Sequence, residues 1–382
     1  MGSPRIAVVG AGVAGLAIAT MLRRHGVCCD LYEQTSALEP VGAGIQLGPN
    51  GVRVLQDLGV GPTLAERGVA AQSIEVRRWD DGDLLASVPH GEACEAAYGA
   101  PYYLIHRADL QRALVSGLPD GVGLGRRVTG VAEHSDHAEL QLADGSHATA
   151  DAVIGADGVH SVVRDAVVRD ETRFSGCAVY RGLVPAELVP SFAHDPRVLF
   201  WLGPDRHITY YPIAAQRMVH VSAVFATSEP GNRAADREEL VEAFAGWHEE
   251  VRRIVAAPSS VTRWGLWDRD FPEHYGTSRL ALVGDAAHPM LPYLSQGASQ
   301  ALEDAEALAG CVVTAAEQGD GLAQALRRYE ELRRPRTAEV HRQARLRGET
   351  FHLADGPRQQ HRDSVLAGRR LDDLRWLYAP AV

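Results

Sequence analysis

Residues 6–33 read IAVVGAGVAGLAIATMLRRHGVCCDLYE, and the rest of the chain is organised around them. The apolar run Ile6-Ala7-Val8-Val9 predicts a buried parallel strand. It breaks into Gly10-x-Gly12-x-x-Gly15, after which Leu16, Ile18, Ala19 and Leu22 continue at helical spacing. A second short strand, residues 28–32, ends on Glu33. Each glycine has its own steric task. Gly10 makes the tight turn, Gly12 lets backbone reach a pyrophosphate, and Gly15 lets the helix sit close to the sheet. The helix start offers free N–H groups and the positive end of a dipole to phosphates. Glu33 stands at the separation at which an acid binds a ribose 2′-hydroxyl. A lone glycine fingerprint says little, but strand, helix and acid together predict a dinucleotide site. The bland alternative is a glycine-rich turn in some other α/β sheet.

Composition narrows the classes. At 382 residues the chain has room for two or three domains, or for one domain with a large insertion. A net charge of −11 leaves no basic face for nucleic acid, so none is expected as a partner. No apolar run reaches the length of a membrane span and nothing before Ile6 resembles a signal peptide, so a cytoplasmic location is expected. The five cysteines are odd in number and form no CxxC pair, which fits free thiols and predicts no metal site.

Beyond Glu33 the chain runs from Gln34 into VGAGIQLGPN, residues 41–50. Its glycines predict a loop whose backbone passes close to something flat, with Gln34 and Gly44 as candidate contacts; ordinary turn chemistry is the alternative. Residues 51–58 carry Val52, Leu55 and Leu58 at helical spacing, and alternation within 71–88 predicts antiparallel strands. YYLIHRADL, residues 102–110, predicts a strand running into a helix. Arg107 at that junction is either a surface charge or an arm reaching a phosphate or ring edge. A hairpin is predicted around Asp144-Gly145.

AVIGADGVHSVVR, residues 152–164, is the next strong signal. Asp157 ends a buried strand, and the carboxyl edge of a parallel sheet is where open α/β folds bind ligands; a plain Asp-Gly turn is the alternative. Ser161 is a candidate helix cap. Short alternating segments between 174 and 228 predict a mainly antiparallel sheet inserted into the nucleotide-binding fold, with His207, Tyr210 and Tyr211 on one strand. Helices are predicted for 238–247 and 249–256.

The parallel pattern returns in LALVGDAAHPMLPYLSQGASQ, residues 280–300, followed by a helix over 299–313. Asp285 can accept hydrogen bonds from a polyol chain. The N–H groups near Gly297 and Ala298 stand at a helix start, suited to the negative edge of a reduced flavin. Residues 322–347 predict an arginine-rich helix interrupted at Pro335. Its eight arginines, Arg327 to Arg347, are expected on a solvated face. Trp376 and Tyr378 predict that the tail docks.

Taken together, GAGVAG, IGADGVHSVVR and LVGDAAHPMLPYLSQGASQALEDA, with VGAGIQLGPN and IHRADL, resemble the single-component FAD-dependent aromatic hydroxylases, which are flavoprotein monooxygenases. The branch is similar to salicylate hydroxylase, 3-hydroxybenzoate 6-hydroxylase and 6-hydroxynicotinate 3-monooxygenase. The resemblance reaches to about Arg347. It implies an α/β protein, a Rossmann-like FAD-binding domain (1–72, 101–173 and 271–348, the last with C-terminal helices). An inserted, mainly antiparallel β-sheet substrate domain takes 73–100 and 174–270, and a C-terminal tail takes 349–382.

The resemblance also implies roles. Gly10, Gly12 and Gly15 would hold the FAD pyrophosphate and Glu33, beside Gln34, the adenosine ribose. Arg107 and Gly44 would approach the cofactor, Val128 its adenine side, and Asp157 belongs to the family's Asp-Gly motif. Asp285 would bind the ribityl chain, and Gly297 and Ala298 would meet the flavin ring. Pro292 would turn a carbonyl towards substrate. Tyr293, Gln46, His207 and Tyr211 are the other candidates for handling the ring hydroxyl. The 6-hydroxynicotinate enzymes have histidines at the positions of Gln46 and Tyr293, a departure that argues against a carboxypyridine substrate.

The expected reaction is hydroxylation of a phenol-like aromatic or heteroaromatic ring (hydroxypyridine, quinolone or salicylate type) with FAD, NADH or NADPH, and O2, through a flavin hydroperoxide. The alternatives are a flavin oxidase, dehydrogenase or epoxidase, or a non-catalytic flavin-binding protein. A monomer or homodimer is expected.

Overall fold

The computed structural model describes residues 4–37, 43–118, 122–192 and 195–380. Val41 and Gly42 of the glycine-rich loop lie outside the described residues. The glycine fingerprint does what its spacing predicts. Arg5–Val9 forms the inner strand of a four-stranded parallel sheet, in the order Leu280–Leu282, Ala152–Gly155, Arg5–Val9, Cys28–Tyr32. Three of these strands are short apolar runs with buried side chains, whereas the edge strand Cys28–Tyr32 alternates, with Cys28 and Asp30 exposed. Helix Val13–Arg24 follows the first strand directly and packs against the helix Gly297–Gln318.

The chain leaves this layer twice to build an eight-stranded sheet. Its order is Arg233–Ala235, Val261–Asp268, Arg173–Pro185, Met218–Ala226, Arg206–Ile213, Arg197–Gly203, Ser73–Arg78, Leu84–Pro89. All neighbours are antiparallel except Arg197–Gly203 with Ser73–Arg78, which run parallel. Helices Arg237–Ala243 and Glu249–Ala256 close one face over Trp201, Tyr210, Phe244 and Trp247. The predicted α/β class with an antiparallel insertion therefore holds. Two small three-stranded sheets complete the fold, one holding Val128–Glu133 and the other pairing Gly44–Leu47 with Tyr103–His106. Among the described residues no helix is long and apolar enough to cross a membrane.

Two expectations for the C-terminal part are corrected. Leu322–Phe351 is one continuous helix that runs through Pro335. A proline there removes one backbone bond, to the carbonyl of Glu331, and both residues face solvent, where water replaces the lost partner. Nor do the arginines form a solvated face. Arg333 is buried and reaches Asp304 through Nε at 2.7 Å and Glu303 through Nη1. Arg336 also pairs with Glu303, at 2.7 Å, and Arg345 with Asp268 at 2.6 Å. Only some of the row, such as Arg327, Arg328 and Arg342, is exposed.

Asp304 is a further correction: its place on the helix predicts an exposed side chain whose replacement changes little, yet it is fully buried and joins three elements. It accepts from the Gly284 backbone N–H at 2.9 Å, faces His288 Nε2 at 2.6 Å, and pairs with Arg333. Burial alone would raise its carboxyl, but His288 and Arg333 outweigh that and hold it at about 2. Because the folded value lies below the unfolded one, near 3.9, the stabilisation is complete above roughly pH 4 and is lost as pH falls through about 2. Asp304→Asn leaves Arg333 without one of its counter-charges in the interior and should cost about 3–5 kcal/mol in chemical denaturation at pH 7. The exposed Glu317→Gln, on the same helix, should change stability by less than about 0.5 kcal/mol. Equal effects of the two would show that the buried network carries no special weight.

Candidate active site

The carboxyl ends of the parallel strands form one groove edge, carrying Gly10, Asp157 and Asp285. Gly10 has φ of +102°, and a Cβ there would stand 2.4 Å from the Ala156 carbonyl oxygen. A Cβ on Gly15 would penetrate the Gly10 carbonyl, so close helix–strand packing requires glycine there. Gly12 differs. A Cβ at Gly12 would meet nothing in the chain within 4 Å. The first two glycines serve the protein's own packing, whereas the space before Gly12 suits a ligand such as a pyrophosphate. Helix Val13–Arg24 starts at Gly12 with no side-chain cap, leaving its first N–H groups for that ligand. Glu33 lies at the turn's rim, accepting from the Ala11 N–H at 2.8 Å and the Thr35 N–H at 2.9 Å. Gln34 beside it is exposed, and Val128 is buried in the adjoining small sheet.

Asp157 abuts Gly10 through its backbone, while its carboxylate accepts from Ser161 Oγ and, at 2.8 Å, from the Val162 N–H. The side chain thus starts the helix Val162–Val167 together with the Ser161 cap. Arg164, two residues further on, was not singled out in the sequence. It is buried, pairs with Asp170 at 2.8 Å, and donates to the carbonyls of Ala286 and Ala287 at 2.9 and 2.7 Å. It therefore fixes the loop that presents Asp285. A cation in the otherwise apolar Val162–Val163 turn was the available signal.

Asp285 opens into the groove yet lies deep within it. That burial raises its carboxyl above the ordinary range, partly offset by His288 and Arg107. A Cβ on Gly297 would sit 3.8 Å from Asp285 Oδ1, so the start of helix Gly297–Gln318 faces the same carboxylate. That helix has no side-chain cap at Gln296 either, and Ala298 follows in its first turn. Arg107 is exposed at the head of helix Arg107–Ser116, and its guanidinium makes no hydrogen bond or ion pair among the described residues. Two uncapped helix starts, an open carboxylate and an unpaired guanidinium share one groove. Those donors and acceptors match the pyrophosphate, polyol and ring edge of a flavin dinucleotide.

Beside the groove, a cavity of about 70 Å³ is lined by aromatic residues, among them Tyr102, Phe200, Tyr293 and Tyr378, together with Gln46 and His90. Gln46 accepts from the Tyr102 hydroxyl at 2.8 Å, and Tyr211 lies within its reach too. Gly44 is packed so closely on Tyr211 and His220 that a Cβ would come within 2.8 Å of both. Burial pushes the Tyr293 hydroxyl well above the ordinary tyrosine range, so at neutral pH it is a proton donor and not a phenolate.

Three candidates do not line the cavity. His207 stands behind Tyr293, ring centroids 5.6 Å apart, with Nδ1 2.8 Å from His352 Nε2. Burial pushes His207 well below its usual range and His352 to about 4, so both rings are neutral near pH 7. Tyr211 lies beneath Gly44 and Gln46. His207 and Tyr211 share the strand face that meets the nucleotide-binding layer, and Tyr293 and Gly44 cover that face. The Pro292 carbonyl accepts from the Ser295 N–H at 3.0 Å within a tight turn. The cavity's Arg347 and Arg369 were missed as site residues.

The model for an FAD binding domain matches residues 4–344. The chain belongs to the FAD-dependent aromatic monooxygenases. It is 58% identical to the 3-amino-4-hydroxybenzoate 2-monooxygenase of Streptomyces cremeus, over 98% of this chain and 94% of that one. It is 37% identical to the 6-hydroxynicotinate 3-monooxygenase of Pseudomonas fluorescens, covering 89% of this chain and 90% of that one. The structure of Klebsiella pneumoniae HpxO with FAD and uric acid superposes with a TM-score of 0.86 at 27% identity, covering 97% of this chain and 94% of that one. This monooxygenase binds FAD and hydroxylates an aromatic ring.

The empty space at Gly12 makes a sharp test of the cofactor groove. Gly12→Val meets no obstacle in the chain, so the variant should fold with near-normal thermal stability of the FAD-free protein. It should nevertheless purify colourless. A Gly12→Val protein carrying a full complement of FAD would overturn the placement of the pyrophosphate.

Proposed function

We propose that this monooxygenase hydroxylates an aminohydroxybenzoate, of the 3-amino-4-hydroxybenzoate type, at the carbon between the carboxylate and the amine, using NADH or NADPH and O2. The observation that carries the reading is 58% identity to a 3-amino-4-hydroxybenzoate 2-monooxygenase across nearly the whole chain. In such a ring the amine is ortho to the reacting carbon and feeds electron density into it. The pocket's hydrogen-bonding groups therefore matter most where they meet the amine and hydroxyl.

Gly10, Gly12 and Gly15 would hold the pyrophosphate, Glu33 and Gln34 the adenosine ribose, and Val128 the adenine side. Asp285 would bind the ribityl hydroxyls, with Asp157 shaping the groove behind Gly10. Arg107, Gly44, Gly297 and Ala298 would border the flavin, the last two lending the positive end of a helix dipole. Bound FAD supplies the electron transfer and oxygen activation that no side chain here can perform. The chain's own share is to place the ring, exclude water and keep its donors protonated. Gln46, held by Tyr102, and Tyr293, held by its aromatic neighbours, are the groups placed to orient amine and hydroxyl. His207 and Tyr211 support them from behind.

The direct test is a panel of ring acids scored for stimulated oxidation of NADH and NADPH and for product mass. 3-Amino-4-hydroxybenzoate should stimulate most and gain one oxygen; stimulation by salicylate or 6-hydroxynicotinate but not by it would sink the substrate assignment. Tyr293→Phe keeps the ring volume and removes one hydroxyl. It should leave FAD content unchanged while more of the oxygen leaves as hydrogen peroxide. Unchanged product yield per nicotinamide would move the orienting role to Gln46.

A further inference from the structure

The cavity is lined by two cations, Arg347 and Arg369, that no acid among the described residues pairs with. Arg347 belongs to the last turns of helix Leu322–Phe351, and Arg369 follows helix Pro357–Ala367; both line the cavity. Around them are Phe351, Leu366, Leu374 and Leu377, which screen little charge. Among the described residues neither guanidinium has a hydrogen bond or an ion pair; Arg347 only approaches the Phe351 ring, at 5.9 Å. The carboxylate sensed by Arg369, Asp373, is engaged by the Arg370 N–H.

The contrast within this chain is instructive. The five most buried arginines, Arg164, Arg263, Arg269, Arg333 and Arg362, all reach acids or carbonyl oxygens. In the cavity the half-buried guanidiniums of Arg347 and Arg369 lack such a partner among the described residues, as does Arg181 elsewhere in the chain. Burial lowers the basicity of both, and the charge of Arg369 adds to the effect on Arg347, but arginine stays protonated at neutral pH. His90, the other basic group of the lining, is pushed by burial to about 4 and adds no charge.

We propose that Arg347 and Arg369 form the recognition site for the carboxylate of the aromatic substrate. The inference rests on the aminohydroxybenzoate reading and deepens it: the C-terminal segment becomes the element that selects ring acids. A planar guanidinium suits a carboxylate in paired hydrogen bonds, and a pocket with little other polarity makes such contacts strong. Gln46 and Tyr293, from the groove side, line the same cavity, so an acid held by the arginines keeps its ring among the orienting groups. The wall is held in place. Arg53 donates to the Tyr378 carbonyl at 3.0 Å and Arg336 to the Trp376 and Leu377 carbonyls at 2.8 Å, seating the Tyr378 ring against His90 and Tyr98. The expected docking of the tail thus acquires a purpose.

The test compares 3-amino-4-hydroxybenzoate with 2-aminophenol, the same ring without its carboxylate, on FAD-loaded enzyme. Binding is read from flavin absorbance and turnover from KM and kcat. Arg347→Met and Arg369→Met should weaken the acid by roughly ten- to a hundred-fold, the scale of a lost charge-assisted contact, and leave 2-aminophenol almost unchanged. The Lys replacements should fall between, with FAD content normal throughout. Equal weakening of both compounds, or an unchanged preference for the acid in the double Met variant, overturns the proposal. Benzoate binding separates the two readings. If wild type turns over no aminohydroxybenzoate but binds benzoate, and the Met variants do not, the substrate reading fails while the anion site stands.

Discussion

The site depends on one buried acid. Asp304 holds the Gly284 N–H, His288 and Arg333 at once, so the loop presenting Asp285, the helix that starts at Gly297, and the long C-terminal helix are joined at one point. A fully buried charge is costly unless it is paired and hydrogen-bonded, and in this network each has a partner. Glu303, next in the chain, extends the network to Arg336 and Asn50. Arg164 adds a second anchor by gripping the carbonyls of Ala286 and Ala287. The loop that must meet the cofactor is held by these ionic cross-links together with the burial of Val283, Ala286 and Ala287 in the core.

That anchoring sets the division of labour. The parallel layer, with Gly10, Gly12 and Gly15 at its edge, offers backbone donors and space, which suit an anionic cofactor. The antiparallel sheet offers a broad face whose inner row, His207 and Tyr211, is covered by Tyr293 and Gly44. The cavity lies where these layers meet the C-terminal segment. On the proposed function, reactivity comes from the cofactor, orientation from Gln46 and Tyr293, and charge selection from the far end of the chain.

Much of this was legible in the sequence. Transitions from an apolar strand into a glycine-containing turn, at Gly10, Asp157-Gly158 and Gly284-Asp285, mark the carboxyl edge of a parallel sheet because only a few residue types fit such turns. Period-two alternation disclosed the inserted sheet. What stayed hidden was set by tertiary contact. Helical spacing cannot tell that Arg333 points inward to an acid 29 positions earlier, or that Pro335 faces water and so leaves its helix whole. Nor does a strand pattern reveal that Tyr293 stands between His207 and the cavity. Arg369 lies in a tail without periodicity, and its part in the cavity depends on how Arg53 and Arg336 seat that tail.

The most direct measurement of the central claim is the origin of the product's new oxygen. With 3-amino-4-hydroxybenzoate, a reduced nicotinamide and 18O2 in ordinary water, the account predicts one labelled oxygen per product molecule, bonded to the ring. A ring oxygen that carries no label because it came from water, or a product without new oxygen and all the 18O recovered as hydrogen peroxide, would contradict it; the latter would mark the protein as an oxidase.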